Sequence, residues 1–224
     1  MTSSPTYEDV QGAWGVGRVV VDGVITPWPV SQSDIDDDIE AAVPQLASLG
    51  LTDGGLVLIV SLLSHAAQVF PFEQAAGRLG ALYSSSDRSP FDASRCASLI
   101  RQLRPSVVMG IDHRVLDGLE DAGRDLAEVF GPVPAVTAVD HDAHARLQAT
   151  GVDARWWLML GPASAVQPLD DEALHYDAAR WWVEADDAEG DLVVTTLTER
   201  LTPCARFRTG VRGTVPEPGR LLLA

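Results

Sequence analysis

From residue 55 to residue 160 short apolar runs alternate with amphipathic stretches, and this rhythm leaves the chain few folds to choose from. Residues 56–60, 106–110, 134–138 and 155–160 read as strands, with a further short run at 80–83. Residues 66–79, 91–103, 113–119, 121–130 and 142–150 carry helical spacing between them. A helix-length crossover returns the chain in its original direction, so the strands it joins pair in parallel. The expected class is α/β, a mostly parallel βαβ sheet layer.

The flanks differ. Residues 16–28 alternate around Asp22-Gly23, a pair that favours a tight hairpin turn. Ser31 or Ser33 then caps a helix whose first turns hold Asp34, Asp36, Asp37, Asp38 and Glu40, where the helix dipole favours anions. The same acidic run lacks EF-hand spacing and a loop glycine, so a helix start is favoured over a divalent-cation site. Gly50 reads as the stop signal. Beyond residue 160, the short runs 179–184, 191–198, 203–209 and 219–223 predict a C-terminal antiparallel β appendage. The expected organisation is a flexible segment over 1–15, an α/β core over 16–165 and a β-rich tail over 166–224, packed as one structural domain.

The charge balance is 32 acidic against 16 basic residues, net −16. Phosphate neutralisation needs clustered cations, so no nucleic-acid partner is expected. All sixteen basic residues are arginine. That excludes a lysine Schiff base, a lysine general base and a P-loop lysine together. No apolar run reaches the roughly 18–20 residues of a transmembrane helix, and no secretory leader is visible, so no membrane partner and a cytoplasmic location are expected. Cys96 and Cys204 lack metal-ligand spacing and read as free thiols.

The stretch from Gly190 to Gly213 contains Gly190-Asp-Leu-Val-Val-Thr-Thr-Leu197, then Pro203, then Arg206-Phe-Arg-Thr-Gly-Val211. It resembles a signature of the adenylate-forming ligases, in particular the phenylacetate–CoA ligase branch. Leu51–Val60, Arg78-Leu-Gly-Ala81, Leu103-Arg-Pro-Ser-Val107, His175 and Trp182-Val-Glu184 resemble further family fragments in the same order. The resemblance implies the fold of a shortened N-terminal domain of such an enzyme. It also implies an ATP site, and the matching positions lack its groups. Where the family places the Asp that grips the ribose stands Val211, whose side chain accepts no hydrogen bond. The phosphate loop is replaced by Val10-Gln-Gly-Ala-Trp-Gly-Val-Gly17, without hydroxyls, and the aromatic and carboxylate of the next motif by Leu160-Gly-Pro-Ala-Ser-Ala165. The family's C-terminal lysine has no counterpart. Losing one contact to developing charge costs about 3–4 kcal/mol of barrier, and several are lost here. No ATP-dependent acyl activation by this chain and no cofactor are therefore expected.

A pocket for the acid remains as the candidate site. Open α/β sheets bind ligands outside the carboxyl ends of their strands. Those ends carry Ser61, His65 and Gln68, then Asp112 and His113, then Gly161 and Ser164. Two imidazoles and a carboxylate on one crevice suit binding or acid–base work, whereas the alternative for each is a helix cap or an ordinary loop residue. Asp140-His-Asp-Ala-His144 has a His-x-x-His spacing but no third ligand, so no metal is assigned. Of each tryptophan pair, Trp156-Trp157 and Trp181-Trp182, one member is expected to bury and one to show partly, on opposite faces of a strand. The expected function is that of a degenerate ligase-like protein of a bacterial biosynthetic pathway. It would bind a small carboxylate, an acyl or aryl thioester, or a protein partner or second copy. The alternatives are an enzyme with non-ATP chemistry on His65, His113 and Asp112, and one part of a split ligase completed by a partner.

Overall fold

Ser31 starts the first helix, α1 (Gln32–Ser48), as expected. Its hydroxyl accepts from the Asp34 amide while the Asp34 carboxylate accepts from the Ser31 amide. This capping box satisfies donors that the helix start would otherwise leave open. Gly50 follows the helix at φ +82°, the left-handed conformation that glycine adopts most easily. The computed structural model describes residues 10–21, 24–186 and 190–224. Ahead of α1, β1 (Gly15–Val21) and β2 (Val24–Val30) pair antiparallel from Gly15↔Val30 to Val21↔Val24. Their predicted turn pair, Asp22-Gly23, lies outside the described residues.

The alternating middle folds in the order its rhythm requires, but the strand expected at 80–83 runs over Leu82–Asp87 and the helix expected over 121–130 begins only at Leu126. In chain order it gives β3 (Leu56–Ser61), α2 (Ala66–Arg78), β4 (Leu82–Asp87), α3 (Ala93–Leu103), β5 (Val107–Ile111), α4 (His113–Asp121), α5 (Leu126–Phe130), β6 (Ala135–Ala138), α6 (His141–Ala149) and β7 (Ala154–Leu160). The five strands pair in parallel in the order β4-β3-β5-β6-β7. Period-two alternation sends Val57 and Ile59 into one core, with α1, α2 and the hairpin. It sends Leu58 and Val60 into the other, with α3 to α6. Both faces of the central strands are covered, which is why β3 and β5 are apolar almost throughout, whereas the edge strand β4, Leu-Tyr-Ser-Ser-Ser-Asp, is polar and largely exposed.

That double cover corrects one expectation. Trp156 does not show: it and Trp157 are both buried. Trp157 meets Phe72 of α2 edge-on on one face, and Trp156 is stacked by His144 of α6 on the other. The second pair behaves as expected, with Trp181 buried and Trp182 45% exposed.

After β7 the chain reverses into β8 (Ala163–Val166), β9 (Leu174–His175), β10 (Trp181–Ala185), β11 (Asp191–Thr196), β12 (Phe207–Glu217) and β13 (Arg220–Leu223). These antiparallel strands extend the parallel sheet in the order β7-β8-β9-β13-β12-β11-β10. The short β8 and β9 were not anticipated. The strand expected over 203–209 begins only at Phe207. The backbone before it turns through Arg206 at φ 50° and is docked elsewhere, with the Thr202 hydroxyl donating to the Pro29 carbonyl and the Leu201 amide to Asp34. A third apolar core, including Trp181, Leu192 and Leu221, lies under this tail.

Candidate functional site

Strand order reverses at β3. The chain leaves β3 towards β4 on one side, and β5 lies on the other. At such a reversal the connections diverge to opposite faces and open a crevice at the carboxyl ends of the strands. Here the reversal sets it between the carboxyl ends of β3 and β5.

Arg88, immediately after β4, crosses these ends. It is 7% exposed, and its Nε and Nη2 both donate to the Val60 carbonyl, at 3.3 and 3.1 Å. Burial lowers its pKa to about 10, with Asp112 opposing. His65, at the start of α2, has its pKa lowered from 6.5 to about 4, first by burial and then by the charges of Arg88, Arg18 and Arg114. His65 is thus a neutral imidazole at physiological pH. Its Nδ1, the Nε of Arg18 and the Oε1 of Gln68 are buried without a hydrogen-bond partner among the described residues. The other amide atom of Gln68 donates to the Arg18 carbonyl. Three unsatisfied polar atoms around one helix start form an unfinished hydrogen-bonding set in a positive neighbourhood.

Asp112 caps α4, accepting from the Val115 amide at 3.1 Å and from Arg114 at 2.6 and 2.7 Å. His113 is exposed, and both its amide and its Nδ1 lie 3.0 Å from Asp140. Asp140 caps α6 through Ala143. Burial works to raise its pKa, but the amides of Ala143 and His113 and the His113 ring bring it below the usual value. The oxygens of both carboxylates are thus engaged by main-chain and side-chain donors.

Gln68 also lines a cavity of about 40 Å³ between the hairpin, α1, α2 and the β7–β8 turn. A cavity this size holds a few water-sized groups. Trp28, Phe72, Met159 and Trp181 form apolar walls, and Ser164 and Arg200 add polar atoms. Ser164 is fixed by reciprocal hydrogen bonds with Gln45, 3.2 Å from its hydroxyl and 3.4 Å to its carbonyl. Ser61 opens instead into a wider cleft with Trp14, Phe70 and Arg95. Gly161 takes φ +64° to turn β7 into β8, and a Cβ there would lie 2.4 Å from Phe207. The predicted residues are therefore distributed. His65, Gln68 and Asp112 stand around the crevice, His113 beside it, Ser164 across the cavity, Ser61 in its own cleft, and Gly161 in a turn.

No family model matches the sequence, and no curated protein matches it. Solved structures do. The chain superposes on 2-hydroxyisobutyryl-CoA ligase, crystallised in an open conformation with 2-HIB-AMP and CoA, at TM-score 0.73 and 15% identity, over 98% of this chain and 58% of that one. The same enzyme in its postadenylation state gives 0.72 and 14%, over 95% and 51%. An anthranilate CoA ligase bound to anthranoyl-AMP gives 0.57 and 13%, over 93% and 46%. The fold is that of the adenylate-forming acyl-CoA ligases. This chain spans about half the length of those enzymes.

On the ligase fold, the signature stretch forms β11 and β12. Val211 lies half-buried on β12 and packs against the apolar core of the tail. Sequence reasoning missed Arg18, Arg88 and Arg200, because nothing local separates a buried arginine from an exposed one. The available signal was global: in a chain without lysine, arginine is the residue that must meet every buried carboxylate or anion.

His65 supplies a test at neutral to acid pH. Its folded pKa lies below its unfolded one, so the unfolded chain takes up the proton first. Stability is undiminished above pH 6.5, falls between pH 6.5 and 4, and loses nothing more to this group below pH 4. The expected loss is about 1–2 kcal/mol, after allowing for the ring's partial exposure. Urea unfolding of the wild type and His65→Gln across that window should show the glutamine variant with the shallower slope. Parallel curves would remove His65 from the buried, positive neighbourhood described above.

Proposed function

We propose that this chain is a binding protein on the phenylacetate–CoA ligase branch of the fold, holding a small carboxylate or the acyl end of a thioester without ATP-dependent activation. The observation that carries the reading is the unfinished hydrogen-bonding set at the start of α2. Arg18 and Gln68 offer free atoms beside a neutral His65, and Gln68 reaches into a small cavity with apolar walls. A carboxylate accepting from the Arg18 guanidinium and a neutral His65 N–H would satisfy two atoms of that set, and the third, the acceptor Gln68 Oε1, would take a hydrogen bond from a donor elsewhere on the ligand, such as a hydroxyl or a thioester-arm amide. The size of the cavity favours a short acyl group over a ring or a long chain. Support for the non-ATP half comes from Val211, which offers apolar surface where the resemblance expects a ribose-gripping carboxylate.

The test is thermal stabilisation by a panel of short and aromatic carboxylates, their CoA thioesters, and ATP with magnesium. A ligand at about 100 times its Kd adds about 2.7 kcal/mol. An acid or thioester should raise the melting temperature of the wild type and fail to do so for Arg18→Gln and Gln68→Leu. Stabilisation by ATP and magnesium, with pyrophosphate released when an acid is added, would replace this reading with that of an active ligase. A second reading rests on the His113–Asp140 contact, which leaves Nε2 of an exposed imidazole free for proton transfer. It requires turnover that His113→Ala abolishes and Arg18→Gln does not.

A further inference from the structure

Of the sixteen arginines, Arg18, Arg88, Arg101, Arg104 and Arg124 make no ion pair among the described residues, while the other eleven do. In a chain with twice as many acids as bases, unpaired guanidinium groups have no shortage of partners. The five fall into two groups at opposite ends of the parallel sheet. Arg18 and Arg88 belong to the crevice at the carboxyl ends. Arg101, Arg104 and Arg124 surround a cavity of about 620 Å³ at the amino ends, between the end of α3, the start of α5 and the loops that lead into β5 and β6.

Two features make this more than a basic patch. Arg104 caps α3 in the left-handed conformation, φ 49° and ψ 59°, a position where glycine or asparagine is usual. A long charged side chain is thus held on a backbone that disfavours it, in line with strain kept at binding sites. The walls between the arginines are apolar, with Ile100, Val129 and Val133, so the site is lined for an organic body as well as for charge. Two carboxylates share the cavity. Asp125 is engaged as the cap of α5 through the Glu128 amide, and Glu128 is exposed.

We propose that this cavity is a second ligand site, for a phosphorylated organic anion carrying at least two negative charges. Planar guanidinium forks match phosphate oxygens in pairs, and three of them against two acids leave a net positive cavity. The fit to a cavity of this volume is that of a small molecule. The site lies at the other end of the sheet from the crevice and stands independently of the function proposed for it.

The experiment uses inorganic pyrophosphate as the test anion, titrated at low ionic strength by calorimetry so that surface screening does not mask it. Saturable binding is expected, about tenfold weaker in Arg124→Gln and in Arg104→Gly, the loss of one charge-assisted contact. Arg104→Gly should also melt about 2–4 °C higher than the wild type, because glycine relieves the left-handed backbone, so weaker binding there is not unfolding. Arg78→Gln, which removes the same charge from an exposed pair with Glu40, should bind as the wild type does. The proposal is overturned if pyrophosphate does not saturate, if Arg78→Gln weakens it as much as Arg124→Gln, or if citrate binds equally well. Loss of pyrophosphate binding in Arg18→Gln alone would place the anion in the crevice and equally overturn it.

Discussion

Arg200→Ala is expected to lower folding stability by about 3–5 kcal/mol, the cost of leaving a buried charge without its partner. The guanidinium side chain is 2% exposed. Its Nη1 and Nη2 donate to both oxygens of Asp38, at 2.8 and 2.7 Å, and its Nε lies 3.7 Å from Asp34. It also stacks 4.8 Å over Trp181. Burial already raises the pKa of Asp38, and Arg200 is the main influence that lowers it. Without the arginine, two neighbouring carboxylates are left desolvated, and at least one must take up a proton or reach water. The damage extends to the helix start, because Asp34 also forms the capping box of α1 and accepts from Leu201.

The size of the effect follows from what remains, and so does its remedy. Replacing both partners by apolar groups of similar volume commonly restores or exceeds the original stability. Arg200→Met combined with Asp38→Leu should therefore recover most of what Arg200→Ala loses. For a chain of this length each kcal/mol is worth roughly 2–4 °C, so the single variant should melt roughly 6–20 °C lower. Equilibrium urea unfolding of the three proteins decides it. A loss under about 1 kcal/mol in Arg200→Ala is the behaviour of an exposed pair and would take Arg200 out of the cavity wall.

This pair also shows where sequence reading stopped. The acidic run after Ser31 was legible as a helix start, because N-terminal carboxylates and a Ser-x-x-Asp cap act within one turn. That Asp38 meets Arg200 was not legible. The two are 162 residues apart, and only the register of the tail against α1 brings them together. The parallel core was legible for the opposite reason: the burial of the central strands β3 and β5 on both faces is written in their own six and five residues. The tail was read only in outline. Beta-type runs there are short, and the departure at Arg206 depends on docking contacts with the hairpin rather than on local preference. Among the candidate residues, strand-end logic picked out His65 and Asp112, both of which lie within the electrostatic reach of Arg88. It could not separate Ser164 and Gly161, which follow the last parallel strand but belong to a hairpin turning away from it. Trp156 was misjudged because its cover comes from histidines of α6, a contact no alternation pattern contains.

Gly110→Ala is the second large effect expected, about 3 kcal/mol or more, and it acts on the crevice itself. Gly110 sits at φ +100°, where the β5–β6 register shifts between Met109 and Ile111. Its amide donates to the Thr137 hydroxyl at 3.0 Å. A Cβ would lie 2.3 Å from the Val60 carbonyl, 2.9 Å from the Trp157 ring and 3.0 Å from Nη2 of Arg88. The first of these is main chain of the neighbouring strand and is also the acceptor that holds Arg88. It cannot move aside as a flexible side chain would. The left-handed backbone alone costs about 1–2 kcal/mol for a residue with a Cβ; separating β3 from β5 adds the rest. Gly151 isolates the first contribution, since it holds φ +84° with nothing within 4 Å of a Cβ. Gly151→Ala should therefore lose only the backbone share, and Gly110→Ala at least twice as much in urea unfolding. Gly110→Ala should also weaken carboxylate binding at temperatures where it is still folded, because Arg88, whose charge borders His65, can no longer keep both Val60 hydrogen bonds. Equal losses in the two variants would mean that β3 and β5 do not approach closely enough at Gly110 to shape a binding crevice.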